Sequence, residues 1–307
     1  MDMDIKKVSL IGLGAVGTLY AHLLSQKMPA DDLRVIADAA RIERYRRDGI
    51  FCNGVRCDFH YVTTDEDPVP ADLLLVTTKF TGLAAAIPVM APHVGPDTII
   101  LSALNGITSE EVLADAFGPQ HVLYAVAAGM DATKIGNQLI YTQKGTLTFG
   151  EKEPGLIGPR ALAVKDFFDR TGFPYVLADD MLHRQWSKLM LNVGLNQAAA
   201  VFDLTYGDLQ KDCRERELML GAMEEVRRVA ERRGYPIPES EVGDWMNVLA
   251  RLSPGGKPSM AQDRDARRKS EVELLAGTIC RLGQQYGIAT PINDFFYEKI
   301  TERERSY

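Results

Sequence analysis

A chain of 307 residues is long enough for two domains of roughly 100–200 residues each. Hydrophobic residues make up 46% and charged residues 25%, a globular composition that excludes a disordered chain. The net charge of -7 lacks the basic footprint of nucleic-acid binding, and no apolar run nears the roughly 20 residues that a membrane helix needs.

The N-terminus MDMDIKK leads straight into an apolar strand, without the basic, apolar and small-residue order of a signal peptide. The four cysteines, Cys52, Cys57, Cys213 and Cys280, form no CxxC pair and read as free thiols, so the expected location is cytoplasmic. Strand candidates lie at 7–11, 33–37, 73–77, 98–101 and 122–127. Several are apolar on consecutive residues, as strands covered on both faces should be. Helical stretches at 15–26, 40–48, 82–90 and 109–116 alternate with them, which predicts a parallel doubly wound sheet. Beyond about Met130 the pattern reads as a β-meander over 138–142 and 146–150. A helix at 158–170 and a strand at 174–177 follow. From Asp179 onward the chain is helical. Asp180 can cap a helix through about Val201, and further helices are expected at 212–233, 239–250, 270–286 and 291–302. The boundary therefore falls between residues 1–178 and an all-α segment, 179–307.

The first strand runs into Ile11-Gly12-Leu13-Gly14-Ala15-Val16-Gly17, a GxGxxG that opens a helix. Gly12 permits the tight turn, Gly14 lets the backbone approach a pyrophosphate, and Gly17 allows close helix packing. The helix start offers N–H groups and positive dipole to phosphates, so residues Gly12 to Gly17, including Leu13, Ala15 and Val16, are candidates for cofactor binding. A glycine turn without a ligand is the alternative. The fold class is thus α/β, a Rossmann-like doubly wound sheet domain followed by a helical domain. Asp38 ends the second strand, where a carboxylate binds an adenosine ribose and repels a 2′-phosphate. It also precedes a helix and can cap it, and Arg41 nearby can grip a phosphate.

The segment 186–200 is apolar around most of the helix circumference, yet Lys188, Asn192 and Asn196 recur at i, i+4 and i+8 on one face. Buried polar groups need partners, so the stripe reads as the wall of a polar site; a solvent-facing stripe is the bland alternative. The five histidines (His22, His60, His93, His121 and His183) show no metal-ligand spacing, and the run 264–269 reads as a solvated face.

Taken in order, Gly12, Gly14 and Gly17, Val76-Thr77-Thr78-Lys79, Leu104-Asn105-Gly106, Trp186 with Lys188, Asn192 and Asn196, Ser259-Met260 with Asp263, and Ser270-Glu271 resemble the ketopantoate reductase (2-dehydropantoate 2-reductase) family over nearly the whole chain. The resemblance implies NAD(P)H-dependent reduction of a 2-oxo acid to a D-2-hydroxy acid, pantoate for coenzyme A synthesis in the known member. It implies Lys188 as the catalytic lysine, donating a proton to the keto oxygen, and Glu271 as its acidic partner. Asn192, Asn196 and Ser259 match substrate positions, Lys79 a cofactor position, and Asn105 both. Read without the family, Glu271 is a charge opening the helix 270–286, Ser259 a cap, Asn105 a turn residue and Lys79 a loop lysine.

The chain departs from the family at three places. Gly255-Gly256-Lys257-Pro258 stands where members often carry Asn, Asp38 where many carry Arg, and Gly82 where many carry Gln. Asp38 therefore points to NADH, against the family habit of NADPH. The rivals are a D-2-hydroxy acid dehydrogenase for another branched or bulky 2-oxo acid and a nucleotide-binding sensor without turnover. The expected partner is a small 2-oxo acid, with no metal, nucleic acid or membrane; a homodimer stays open.

Overall fold

The computed structural model describes residues 4–64 and 69–307. The chain divides into two compact units, Met1–Met181 and Leu182–Tyr307. In the first, the strands are β1 (Val8–Ile11), β2 (Leu33–Ile36), β3 (Ile50–Cys52), β4 (Val55–Cys57), β5 (His60–Val62), β6 (Leu73–Val76), β7 (Ile99–Ser102), β8 (Val122–Met130), β9 (Thr133–Ile135), β10 (Gln138–Ile140), β11 (Lys144–Gly150) and β12 (Tyr175–Leu177). Helices α1 (Ala15–Ser25), α2 (Ala39–Asp48), α3 (Leu83–Met90), α4 (Ser109–Phe117) and α5 (Pro159–Thr171) connect them.

Eight strands form one sheet in the order β12-β11-β8-β7-β6-β1-β2-β5. From β8 to β5 every pairing is parallel, with β1 in register against β2 (Val8 beside Leu33) and β6 (Val8 beside Leu73). The consecutive apolar residues of these strands are explained by burial on both faces. Side chains alternate across a strand. Accordingly Leu73 and Leu75 of β6 enter the core shared with α1 and α5, whereas Leu74 and Val76 enter the core shared with α3 and α4.

The expected β-meander needs correction. Only β11 returns antiparallel to β8, with Leu147 opposite Ala127. The short strands β9 and β10 leave the main sheet and join the hairpin β3–β4 in a second sheet of order β4-β3-β10-β9, in which β10 pairs parallel to β3. Three-residue strands carry too little alternation to be assigned from composition.

The second unit continues α6 (Met181–Phe202) and adds α7 (Tyr206–Leu209), α8 (Arg214–Arg232), α9 (Glu239–Ala250), α10 (Ser259–Asp265), α11 (Thr278–Tyr286) and α12 (Pro291–Glu304). Helix α6 crosses α8 closely at Gly194, where a Cβ would lie 2.5 Å from Met223 Cγ and 2.8 Å from the Met219 carbonyl. Its buried Gln197 donates to Asn293 Oδ1 and accepts from Ala276 N–H, and Asn293 in turn donates to the buried Glu225 carboxylate. A satisfied polar chain of this kind specifies how the helices dock.

Two further expectations are revised here. The run 264–269 is not uniformly solvated, since the Arg264 side chain is only 10% exposed. Its Nη1 donates to the carbonyls of Ala199 and Ala200 at the end of α6, where a cation meets the negative end of the helix dipole. The expected helix 270–286 opens instead as a π-helical turn, Glu273–Gly277, ahead of α11. Among the described residues, no helix is long and apolar enough to cross a membrane.

Candidate active site

Strand order reverses at β1: the chain winds outward through β2 and β5, then crosses back to β6, β7 and β8 on the other side. Ligands of such sheets bind at the carboxyl ends of the strands around this switch point. Gly12 to Gly17 follow β1, Asp38 follows β2, Lys79 lies beyond β6, and Asn105 lies beyond β7. The sheet thus brings every expected cofactor residue to one edge.

The three loop glycines meet distinct demands. Gly12 has φ +99°, and a Cβ there would sit 2.7 Å from Thr78 N. At Gly17 a Cβ would stand 1.9 Å from the Gly12 carbonyl oxygen, so only glycine lets α1 approach the loop. At Gly14 a Cβ would find just the Thr77 carbonyl, at 3.9 Å, which leaves the loop face bare as a pyrophosphate cradle requires. The residues therefore fit a dinucleotide. Two side chains that the motif does not reveal hold this loop. Thr77 Oγ1 lies 2.9 Å from the Ile11 carbonyl and 2.6 Å from that of Gly12. Lys134 Nζ donates to the Leu13 carbonyl.

Asp38 is the N-cap of α2, its Oδ1 accepting the Arg41 N–H at 2.8 Å, while Arg41 Nε stands 3.4 Å from Oδ2. The capping role is thus realised, and it leaves the carboxylate at the exposed end of β2. Lys79 is exposed at the start of a short 3₁₀ turn; Asn105 is half-buried before Gly106.

In the helical unit, Asn192 and Asn196 are 8% and 7% exposed, which removes the solvent-facing alternative for the stripe. They form a polar chain: Ser259 Oγ donates to Asn196 Oδ1 at 3.0 Å, and Asn196 Nδ2 donates to Asn192 Oδ1 at 3.2 Å. Ser259 is the first residue of α10, with Pro258 at the cap. One turn before Asn192 comes Lys188, half-buried. Loss of hydration drives its pKa down to about 8, and the Glu271 carboxylate partly restores it. Glu271 is half-buried ahead of the π-helical turn, its carbonyl accepting from the N–H groups of Leu274 and Leu275. Lys188, Asn192, Asn196, Ser259 and Glu271 thus all belong to one compact unit. Asp263, by contrast, is buried and ion-paired to Arg268 at 2.9 Å. Beside Ser259, a Cβ on Gly256 would lie 2.9 Å from the ring of Tyr206, whose N–H donates to the Gly256 carbonyl.

Residues 8–154 match the family model described as ketopantoate reductase PanE/ApbA, and residues 180–304 match that of its C-terminal domain. The chain belongs to the ketopantoate reductase family. The 2-dehydropantoate 2-reductase of Aquifex aeolicus (strain VF5) is 24% identical over 305 residues, covering 98% of this chain and 97% of that one. The structure of a PanE/ApbA family ketopantoate reductase from Ralstonia eutropha JMP134 superimposes with a TM-score of 0.83 at 25% identity, covering 98% of this chain and 99% of that one. A ternary structure of D-mandelate dehydrogenase with NADH and anilino(oxo)acetate shares the fold at a TM-score of 0.86 and 22% identity, covering 98% of both chains. As a member of the ketopantoate reductase family, the chain is an NAD(P)-dependent oxidoreductase of the 2-dehydropantoate 2-reductase type.

Proposed function

We propose that the protein reduces 2-dehydropantoate to D-pantoate, with Lys188 as the general acid. The observation that carries this reading is a half-buried lysine of lowered pKa at the head of a chain of neutral amide and hydroxyl groups, Asn192, Asn196 and Ser259. When bound, NAD(P)H would supply the hydride needed at the 2-oxo carbon, and the residues that would hold it are those of the glycine loop, Gly12 to Gly17. Lys188 gives the keto oxygen its proton, so the product is a 2-hydroxy acid and the lysine is left neutral until solvent reprotonates it. Glu271 favours the charged ammonium and so keeps the acid loaded. Asn192, Asn196 and Ser259 offer donors and acceptors without charge, which suits the hydroxyl and carboxylate oxygens of the substrate.

A second reading has a specific support. The Tyr206 ring fills the space beside Gly256, so the asparagine that many family members carry there has no room. A fold shared with a D-mandelate dehydrogenase supports an aromatic or bulkier 2-oxo acid. A panel of 2-oxo acids, followed by NAD(P)H absorbance, separates the two. Ketopantoate is expected to give the highest kcat/KM; a higher value for a larger or aromatic 2-oxo acid hands the site to the second reading. No turnover of any 2-oxo acid with either cofactor would overturn both.

The cofactor preference follows from Asp38. A 2′-phosphate would bring negative charge against its carboxylate, and Arg41, the nearby cation, is already drawn to Asp38. Gly82 has open space around it and no side chain with which to hold a phosphate. NADH is expected to exceed NADPH by about fivefold or more in kcat/KM, the worth of about 1 kcal/mol for one like-charge contact in water. Asp38→Arg should reverse the order. Equal values for the two cofactors in the wild type would show that Asp38 acts only as a helix cap.

A further inference from the structure

We propose that Lys134 is a positioning residue for the cofactor's pyrophosphate: by holding back the Leu13 carbonyl, its ammonium keeps the glycine loop turned towards the phosphates and adds positive charge behind it. The proposal rests on NAD(P)H binding by the first unit and not on the identity of the 2-oxo acid.

Lys134 lies on β9, an edge strand of the second sheet, far along the chain from the loop it touches. Its Nζ donates to the Leu13 carbonyl and lies 3.0 Å from Thr18 Oγ1. Thr18 is fully buried on α1, and its hydroxyl lies 3.4 Å from the same carbonyl. Leu13 is the residue between the first two glycines of GxGxxG. In a trans peptide the C=O and the following N–H point to opposite sides. Fixing the Leu13 carbonyl towards Lys134 therefore aims the Gly14 N–H away from Lys134.

The charge itself is unusual in its company. Among the described residues no carboxylate forms an ion pair with Lys134. Burial pulls its pKa down to about 8, the Arg44 guanidinium on α2 pushes the same way, and the Cys57 thiol on β4 opposes them. A half-buried ammonium without a counterion is costly, and a pyrophosphate at the loop supplies the missing negative charge. Cofactor binding should therefore favour protonated Lys134, so that affinity is full below pH 8 and falls as pH rises through it. The other ionisable neighbours titrate elsewhere. His22 on α1, 3.5 Å from Cys57 Sγ, is held below the ordinary imidazole value by burial and by Lys144. Burial pushes Cys57, Cys52 and Tyr141 upward, Cys52 to about 11.

The test is a titration of NADH fluorescence against the full-length protein from pH 6.5 to 9.5. Wild type should lose affinity through about pH 8. Lys134→Met, which keeps the stem and removes the charge, should bind about 10- to 100-fold more weakly, the worth of a hydrogen bond to a charged group. Its affinity should also be flat across that range. Lys134→Arg should restore most of the affinity and shift the pH dependence out of the range. Lys188→Ala, run alongside, should keep the wild-type profile, which assigns the titration to Lys134. Wild-type affinity that does not change between pH 7 and 9 would overturn the proposal without any variant. So would wild-type binding by a folded Lys134→Met.

Discussion

Replacing Lys188 with alanine is expected to lower kcat by about 100- to 10,000-fold, the usual contribution of a positioned general acid. Cofactor affinity should stay close to wild type, because the groups that fit the dinucleotide belong to the glycine loop and the strand ends beside it. The wild-type rate should also report the lysine directly. An ammonium is an acid and a neutral amine is not, so the rate of reduction is full below pH 8 and falls as pH rises through about 8. Glu271→Gln removes the charge that favours the ammonium, so the descending limb should move to lower pH. Turnover near that of the wild type in Lys188→Ala would refute the mechanism. A limb that stays in place in Glu271→Gln would detach the glutamate from it.

A single added methyl group in the glycine loop should have the next largest effect. In Gly17→Ala the new carbon starts 1.9 Å from the Gly12 carbonyl oxygen and 2.4 Å from Thr77 Oγ1, so loop and helix must part. Overpacking of this kind costs about 1–3 kcal/mol or more, equivalent to roughly 2–12 °C in melting temperature for a unit of this size. The displaced atoms belong to the turn that would face the pyrophosphate, so NADH affinity should drop at least about tenfold, the worth of about 1.4 kcal/mol. Thermal melts with and without NADH measure both at once. An unchanged melting temperature together with an unchanged shift by NADH would show that the loop relaxes around the added methyl group and would refute this prediction.

Much of this was legible in the sequence because its signals are local. The GxGxxG lies within seven residues and is flanked by an apolar strand and a helix, so its place at the end of β1 follows from its neighbours. The stripe Lys188, Asn192 and Asn196 follows from helical periodicity alone, and burial of the two asparagines gives it its meaning. What escaped depends on distant partners. Nothing near Lys134 announces that it reaches Leu13. Arg264 sits in a charge run like any solvated one until the carbonyls of Ala199 and Ala200 are brought to it. The π-helical turn Glu-Leu-Leu-Ala-Gly is composed like an ordinary helix; its Ala276 N–H goes to Gln197, a residue far away in the chain.

The small second sheet also sets an order of assembly. Its central pairing joins Phe51 to Gln138 and Cys52 to Leu139, so β10 can land on β3 only after the intervening chain, which carries half the strands of the large sheet, has been brought in. Loop closure over such a span is slow and is favoured once the enclosed strands have already paired. Lys134 travels with this late segment, on β9. During synthesis the glycine turn emerges ahead of β9, and more than a hundred residues must follow it before the ammonium can reach Leu13. A nascent chain or a truncated fragment ending before β9 would carry the complete GxGxxG and still lack its cation, so the competence to hold a dinucleotide matures after the motif that announces it.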